Sequence, residues 1–359
     1  MRKNKPNQTQ SNPISKGTLI ICYFYSIYKQ QLGTTVVNNM DFQKAVELIN
    51  KSNNILLTTH TRPDGDACGS LVAIFDALTA LGKKPTPIFL STVPKWYRFL
   101  FAEQPVIFDE NTQIDTDLVI IVDTNSYSQL PGFDKYLKQN DKPVLVIDHH
   151  VTADGLGDVE LVDTAAAATA LIVLDLLKYA DWPITEKIAR ALFVAVATDT
   201  GWFQFGNTDS RVHHSCAELI DAGVNPTQIY HDLYQNLSYQ RFKLMTAMLN
   251  TLELHLDGRY ATQHLLQADF EQTGAAHEDT ENLIDVCRRI GTVEVAALFV
   301  ELKDGRIKCS LRSTGTVDVC KIAQKFGGGG HKMAAGTHLP GPLKNAKQLI
   351  KTEVEKQFQ

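Results

Sequence analysis

The sequence predicts an α/β fold, with a doubly wound, mainly parallel sheet joined by a linker helix to a smaller α/β domain. Continuous apolar runs over residues 55–59, 117–122 and 144–147 alternate with helical patterns, as in parallel sheets whose strands are buried on both faces. Each run is followed by an acid or a histidine. Because such folds bind ligands outside the carboxyl ends of their strands, we expect the functional site at that edge.

Length, charge and cysteine content narrow the class of protein. The 359 residues suffice for about two domains. A net charge of −5 argues against a protein that coats long nucleic acid. The six cysteines form no C-x-x-C pair and are typical of thiols in a reducing compartment. We therefore expect a cytoplasmic protein.

Residues 1–39 are predicted to be an extension that is either disordered or the product of a start codon assigned too early. Residues 1–17 are polar and basic, and the apolar stretch 18–28 is too short to span a membrane. A signal peptide is the alternative, although the sequence has no clear small-residue cleavage site. A helical pattern from Met40 leads into the first strand, and we expect no membrane partner.

The first strand, 55–59, leads into a loop that contains His60, Asp64 and Asp66 and is marked by proline and glycine. A helical pattern follows, whose N-terminus offers N–H groups to an anion. Two acids beside a histidine repel each other unless a cation is present. The alternative is a solvated turn in which the aspartates only cap the helix.

Further along, residues 84–89 are predicted to form a strand, and residues 164–179 and 185–198 two helices. Asp199 lies at the C-terminal end of the second helix, the negative end of its dipole, where a carboxylate is unfavourable without a compensating positive charge. A bound metal would supply that charge, and an Asx-type cap beside Gly201 is the alternative.

We place the first domain at residues 40–225, a linker helix at 226–251 and the second domain at 252–359. The second domain has strand patterns at 260–266, 293–302 and 307–311, and helical patterns at 282–290 and 317–326.

Two features of the second domain suit an anion. The glycine run 327–330 is predicted to form a loop whose backbone N–H groups approach a phosphate, with a flexible linker as the alternative. Arg312 supplies a guanidinium fork of the kind that binds phosphate.

The acids and histidines at the strand and helix ends form one candidate site without a thiolate. They are His60, Asp64, Asp66, Asp123, Asp148, His149, His150 and Asp199. Carboxylate and imidazole ligands suit Mn²⁺, Zn²⁺ or Fe²⁺, and a carboxylate-rich set favours Mn²⁺ or Mg²⁺. The set is too large for one tetrahedral zinc, whereas two metals about 3.5–4 Å apart with a bridging aspartate would use it. Such a pair predicts hydrolysis of a phosphate ester or anhydride.

Other catalytic patterns are missing from the sequence. No G-x-G-x-x-G fingerprint follows the first strand, and the chain contains neither a P-loop nor a serine nucleophile elbow.

The motifs resemble those of the DHH phosphoesterase superfamily. They are H-x-x-P-D-G-D-A-x-G-S from His60, the strand-terminal Asp123, the D-H-H triplet at 148–150 and T-D-T-G around Asp199. S-L-R-S followed by G-G-G-G-H-x-x-A-A-G resembles the DHH-associated C-terminal domain. The resemblance covers roughly residues 40–345. It is similar to the type of enzyme that acts both as an oligoribonuclease and as a 3′-phosphoadenosine 5′-phosphate phosphatase.

The resemblance implies a role for each matching residue. One Mn²⁺ would be held by His60, Asp64 and Asp123, and a second by Asp66, Asp123, His149 and Asp199. His150 would face the substrate as a catalytic group, with Asp148 orienting a histidine. The nucleotide would be held by Arg312, Ser313, Gly328, Gly329, Gly330 and His331.

The resemblance also implies an activity, in a cleft between the domains. We expect manganese-dependent release of mononucleotides from short single-stranded RNA and conversion of 3′-phosphoadenosine 5′-phosphate to AMP, with Mg²⁺ or Co²⁺ as alternative metals. An exposed edge strand would support a homodimer. The alternatives are a dinucleotide phosphodiesterase, including one for cyclic-di-AMP, an exopolyphosphatase, a pyrophosphatase, or a nucleotide sensor without turnover.

Overall fold

The computed structural model describes residues 37–109 and 114–358. Residues 1–36 of the predicted extension therefore lie outside the described residues. The chain forms two compact units, of which the first ends at Gln235 and the second begins at Asn236. Among the described helices, none combines the length and the apolar character needed to cross a membrane.

Six parallel strands form the sheet of the first unit. They are β1 (Asn54–Thr59), β2 (Lys84–Phe89), β3 (Val106–Ile107), β4 (Leu118–Val122), β5 (Val144–Asp148) and β6 (Val159–Val162). Their order, β3-β2-β1-β4-β5-β6, confirms the predicted doubly wound sheet. The winding reverses between β1 and β4, where Thr59 pairs with Val122. Because ligands bind outside the strand ends at such a reversal, the residues after β1 and β4 lie at the expected place for a site.

Helices cover both faces of this sheet. They are α1 (Asn39–Lys51), α2 (Gly65–Ala80), α3 (Phe133–Gln139), α4 (Thr169–Tyr179), α5 (Glu186–Asp199), α6 (Ser210–Asp221) and α7 (Pro226–Tyr230). Alternate residues of a strand point to opposite faces. On β4, Ile120 packs into the core that α2, α4 and α5 share, and Ile121 packs into the core around α3. Both cores consist of buried apolar side chains, which hold the strands and so the polar groups at their ends in place.

Helix α4 starts later than the predicted 164–179. Residues 164–168 form a turn in which the Asp163 side chain accepts a hydrogen bond from the N–H of Ala165 at 3.0 Å. An aspartate that binds the backbone locally offers the chain an alternative to helix, which explains the late start.

Two glycines let α2 and α5 approach closely. A Cβ on Gly69 would lie 2.3 Å from the carbonyl oxygen of Ala191 and 2.8 Å from the Cβ of Ala195. A Cβ on Gly65 would lie 2.1 Å from the hydroxyl of Thr198. Asp66 is the residue after Gly65, and Asp199 is the residue after Thr198. The close helix contact therefore sets how near these two acids come.

The second unit is built on a mixed sheet. Its strands are β7 (Glu253–His255), β8 (Tyr260–Leu265), β9 (Val295–Glu301), β10 (Ile307–Ser313), β11 (Gly329–His331) and β12 (Ala334–Leu339), in the order β11-β12-β10-β9-β8-β7. Among the described strands of this second sheet, only the β8–β9 pair is parallel. Its helices are α8 (Tyr239–Leu249), α9 (Gln267–Thr273), α10 (Val319–Gln324) and α11 (Leu343–Phe358). The segment predicted as a helix at 282–290 is instead a 3₁₀ helix, Leu283–Arg289.

The single linker helix predicted over 226–251 is wrong. Helix α7 continues as a π-helical turn, His231–Gln235, and α8 begins separately at Tyr239. Leu233 packs into the core of the first unit, and Leu244 packs into that of the second. The apolar periodicity runs through both pieces, but each piece serves a different core, so the boundary falls between them.

The predicted glycine loop is also wrong for its second half, because residues 329–331 form strand β11 against β12. Gly327 lies in the turn that follows α10 and has φ +73°, a conformation that favours glycine. Cβ atoms on Gly328 and Gly330 would lie 2.2 Å and 2.5 Å from the carbonyl oxygens of Gly336 and Ala334. These glycines therefore permit close backbone packing within the sheet.

We expect Gly69→Ala to destabilise the protein by about 1–3 kcal/mol, because the added methyl group forces α2 away from the Ala191 carbonyl. Urea denaturation measures the change. Gly206→Ala is the control, since a Cβ there meets no atom within 4 Å. Equal stability of the two variants would contradict the close contact.

Candidate active site

The three strand ends bring acids and histidines together. His60 follows β1, Asp123 follows β4, and His149 and His150 follow Asp148 at the end of β5. Donor atoms within 4.8 Å of one another form three groups that could hold a metal ion. The groups are His60 with Asp64 and Asp123, Asp66 with His149 and Asp199, and Asp123 with His149 and His150. The predicted metal ligands therefore all lie in one cluster.

Asp123 occupies the centre of this cluster. Its Oδ2 lies 3.5 Å from Nε2 of His60, and its Oδ1 lies 3.6 Å from Nε2 of His149. One carboxylate thus faces both groups of donors, as a bridging ligand does. Its backbone has φ +62°, an uncommon conformation for a residue other than glycine, and its side chain is 2% exposed. Such a strained, buried placement is typical of functional sites.

His60 and His149 turn the same ring nitrogen towards the acids. Nδ1 of His60 lies 2.9 Å from the carbonyl oxygen of Thr61, and Nδ1 of His149 lies 3.1 Å from that of Ala166. A carbonyl oxygen only accepts hydrogen bonds, so each Nδ1 donates and each Nε2 is the ring nitrogen that faces the acids. Metal-binding histidines are oriented in this way.

Asp66 is buried and held on both oxygens. Its Oδ1 accepts hydrogen bonds from the Ser70 hydroxyl at 2.9 Å and the Ala170 N–H at 3.1 Å, and its Oδ2 accepts one from the Thr169 N–H at 2.6 Å. Thr169 and Ala170 are the first residues of α4, so the positive end of that helix faces the carboxylate. Burial nevertheless raises the pKa of Asp66, and the charge of Asp64 adds to this effect.

The pKa values of the other acids show unbalanced negative charge. Burial raises the pKa of Asp123 well above its usual range, and repulsion from Asp66, Asp64 and Asp199 reinforces the shift. Burial also raises the pKa of Asp199 to about 8, again with repulsion from Asp66 and Asp64. Carboxyls that resist ionisation in this way become stable anions once a cation lies among them.

Asp64 caps helix α2, as the simpler interpretation of the first loop predicted, and it also faces the cluster. Its Oδ1 accepts hydrogen bonds from the N–H groups of Asp66 and Ala67, which caps α2, and its side chain is 56% exposed. The same oxygen lies 4.0 Å from Nε2 of His60. Capping therefore orients this acid towards the cluster and does not compete with a ligand role.

His150 differs from the other two histidines. Its Nδ1 lies 2.7 Å from Oδ1 of the fully buried Asp148, which also accepts hydrogen bonds from the N–H groups of His149 and His150. The hydrogen bond to Asp148 raises the pKa of His150 against the lowering effect of burial. The His150 side chain is half exposed. It is therefore suited to exchange a proton with a ligand.

The second unit separates the predicted substrate-binding residues. Nε of Arg312 lies 3.5 Å from Oδ1 of Asp285, on the sheet face opposite to Ser313. Ser313 is buried, and its hydroxyl accepts a hydrogen bond from the N–H of Gly315. The Cα atoms of Arg312 and His331 both lie opposite Ala334 in neighbouring strands. The backbone positions of Arg312 and His331 are therefore in register with each other across the sheet, and Ser313 is one position further along its strand.

Sequence reasoning missed several residues that support the cluster. Thr169 binds Asp66 through its N–H, and its hydroxyl donates to Oδ1 of Asp123 at 2.9 Å. The Ser70 hydroxyl donates to Asp66, and the carbonyl of Ala166 orients His149. Backbone groups and hydroxyls of this kind carry no pattern in a single sequence, because the same residues are common in ordinary helices and turns.

The donor set fits a divalent cation. It offers carboxylate oxygens and imidazole lone pairs, no thiolate, and negative charge for which the described residues of the cluster provide little compensation. Such a set suits Mn²⁺ or Mg²⁺ better than a soft metal.

Comparisons with known proteins find a family match in each of the two units. A model of the DHH family, N-terminal domain, matches residues 54–197, and a model of the DHHA1 domain matches residues 257–359. A bifunctional oligoribonuclease and PAP phosphatase, NrnA, from Thermus thermophilus is 33% identical over 288 residues, which are 80% of this chain and 84% of that protein.

Two solved structures share the fold. An exopolyphosphatase-related protein from Bacteroides fragilis matches with a TM-score of 0.84 at 22% identity, over 90% of this chain and 98% of that one. The exonuclease RecJ bound to manganese matches with a TM-score of 0.51 at 16% identity, over 88% of this chain and 94% of that one.

Asp123→Asn tests whether a cation balances the buried charge. The amide keeps an oxygen that accepts from Thr169 but removes one of the repelling charges. In EDTA we expect the variant to be at least as stable as the wild type. Mn²⁺ at about 100 times its Kd should raise the Tm of the wild type by about 5–10 °C and that of the variant hardly at all. Differential scanning fluorimetry measures both.

Asp141→Asn is the control for this prediction, because its side chain is 84% exposed and pairs with Lys142. Mn²⁺ should raise the Tm of this control variant as much as that of the wild type. An equal rise in the Tm of Asp123→Asn would rule out a cation among these acids.

Proposed function

Because the chain belongs to the DHH family of phosphoesterases, we propose that it hydrolyses short oligoribonucleotides to mononucleotides and 3′-phosphoadenosine 5′-phosphate to AMP. The relative from Thermus thermophilus, which carries both activities in its name, supports this choice. The observation that carries the proposal is the Asp123 carboxylate, which faces one group of metal donors with each oxygen.

We further propose that two Mn²⁺ ions bind here, one held by His60, Asp64 and Asp123 and the other by Asp66, Asp123, His149 and Asp199. Two of the three groups of donors in the cluster, His60 with Asp64 and Asp123 and Asp66 with His149 and Asp199, support this division. Bound in this way, divalent cations polarise phosphoryl oxygens and lower the pKa of water, which is the chemistry that phosphoester hydrolysis requires. The chain's own residues fix the acids in advance, so little reorganisation is needed when the substrate binds.

His150 is proposed to move the proton. Asp148 holds Nδ1–H of the ring, so Nε2 is the atom free to face the substrate. In hydrolysis, water forms a new bond to phosphorus and releases a proton to the solvent, the bond to the leaving oxygen breaks, and that oxygen takes a proton. A raised pKa keeps more of the imidazolium at neutral pH, so Nε2–H can give this proton.

The second unit is proposed to bind the nucleotide through Arg312 and the strand 329–331. The guanidinium of Arg312 is part-buried, and its neighbour Asp285 keeps it oriented. Ser313 contributes to the fold of this strand end, since its hydroxyl is engaged by Gly315.

We propose a cytoplasmic location, with short single-stranded RNA and small nucleotides as partners. The described cysteines are free thiols, in keeping with a reducing compartment. A homodimer stays a prediction from the exposed edge strands.

A product assay with Mn²⁺ tests the function. It compares a 5′-labelled RNA dinucleotide, 3′-phosphoadenosine 5′-phosphate, cyclic-di-AMP, inorganic polyphosphate and pyrophosphate. We expect mononucleotides from the first and AMP from the second, and Asp123→Ala should lose about 10³-fold or more of kcat. Activity on the other substrates alone would overturn the proposed specificity. No turnover by a protein that binds Mn²⁺ would indicate a nucleotide sensor.

Arg312→Gln tests the proposed contact with the nucleotide. Loss of a charged hydrogen bond to phosphate should raise KM for the dinucleotide about 10-fold or more, with kcat within about threefold of the wild type. Arg306→Gln is the control, since Arg306 lies beyond the other end of the same strand and pairs with Asp304. Steady-state kinetics that show equal KM values would exclude Arg312 from substrate binding.

A further inference from the structure

The segment 163–170 connects β6 to α4 and includes the first two residues of that helix. It supports three of the acids and histidines in the cluster. Its contacts are the Ala166 carbonyl with Nδ1 of His149 at 3.1 Å, the Thr169 N–H with Oδ2 of Asp66 at 2.6 Å, the Ala170 N–H with Oδ1 of Asp66 at 3.1 Å, and the Thr169 hydroxyl with Oδ1 of Asp123 at 2.9 Å. A shift of this segment would therefore displace ligands of both proposed metals at once.

Asp163 fixes the start of the segment. Its Oδ1 accepts a hydrogen bond from the N–H of Ala165 at 3.0 Å, and its carbonyl accepts one from the N–H of Ala166 at 3.0 Å. Its own N–H donates to the carbonyl of Asp148 at 3.2 Å. The Asp163 side chain is 5% exposed, so its charge needs a partner inside the protein.

Arg211, near the start of α6, is that partner. Its Nη1 lies 2.6 Å from Oδ2 of Asp163, and its Nη2 lies 2.8 Å from Oδ2 of Asp175. Asp175 lies on α4, and its side chain is 42% exposed. One guanidinium thus clamps the turn before α4 to the helix itself, without touching any acid or histidine of the cluster among the described contacts.

We propose that Arg211 is a positioning residue of the metal centre, acting through Asp163 and the segment 163–170. This inference rests on the proposed function, since it assumes that the cluster binds metal. Without the guanidinium, the carboxylate of Asp163 is left buried and uncompensated, and it can regain solvent only if the turn moves. The carbonyl of Ala166 then moves with it, and His149 loses the partner that orients its Nε2.

Isothermal titration of the metal-free protein with Mn²⁺ alone tests this route. We expect Arg211→Met to weaken Mn²⁺ binding about 10-fold or more, the usual effect of removing a group that orients a ligand. Asp163→Asn should weaken binding to a similar extent while its amide oxygen can still cap Ala165. Arg211→Lys should restore part of the affinity, because it returns the charge without the fork.

Two controls separate positioning from stability. Asp175→Asn removes the other carboxylate of the same arginine and should keep the Mn²⁺ Kd within about twofold of the wild type. Arg190→Met breaks a comparable ion pair, Nη2 to Asp232 at 2.9 Å, that does not involve the segment. It should lower the Tm without changing the Kd.

The outcomes are distinguishable. Wild-type protein that fails to bind Mn²⁺ would overturn the proposed function itself. If the wild type binds Mn²⁺ and Arg211→Met binds it with the same Kd, the positioning role alone is overturned. The same follows if Asp163→Asn and Asp175→Asn weaken Mn²⁺ binding equally. Should Arg211→Met not fold, the comparison of Asp163→Asn with Asp175→Asn decides.

Discussion

Like charges held together out of water are the constraint on which the first unit depends. Asp66 and Asp123 are buried, Asp64 and Asp199 lie beside them, and the pKa values of Asp66, Asp123 and Asp199 are raised. Burial of carboxylates without partners destabilises a fold. A chain that keeps such an arrangement gains from it only when a cation is bound, which is why the cluster indicates function more strongly than any single motif.

The scaffold explains how these charges stay in place. Parallel strands bring their carboxyl ends to one edge, the N-terminus of α4 faces Asp66, and the close contact of α2 with α5 fixes the distance between Asp66 and Asp199. Each device is built from backbone groups or small residues. None can relax by rotating a side chain, so the strand and helix ends that carry the acids are held close together.

The sequence predicted β1, β4 and β5 and the acids and histidines at their ends because both carry strong signals. A buried parallel strand needs a continuous apolar run, and a metal ligand must be one of a few residue types, so β4 and Asp123 could be identified without a structure. The supporting contacts of Thr169 and Ala166 could not, since a hydroxyl or a carbonyl in a helix turn has no distinctive pattern. Arg211 was missed because its partners, Asp163 and Asp175, are 48 and 36 residues away along the chain, and no local pattern links them to it.

The wrong predictions have physical causes that differ. The linker helix failed because helical periodicity records which face is apolar, and it does not record whether successive turns pack into one core or two. The glycine run failed because glycine serves two purposes, the exposure of N–H groups to an anion and the close approach of backbones. The second purpose accounts for Gly330 in strand β11 and for Gly328 just before it, since their missing Cβ atoms leave room for the β12 backbone. Of the predicted anion-binding features in the second unit, Arg312 is therefore the one that does not involve glycine, and the proposed contact with the nucleotide depends chiefly on its guanidinium.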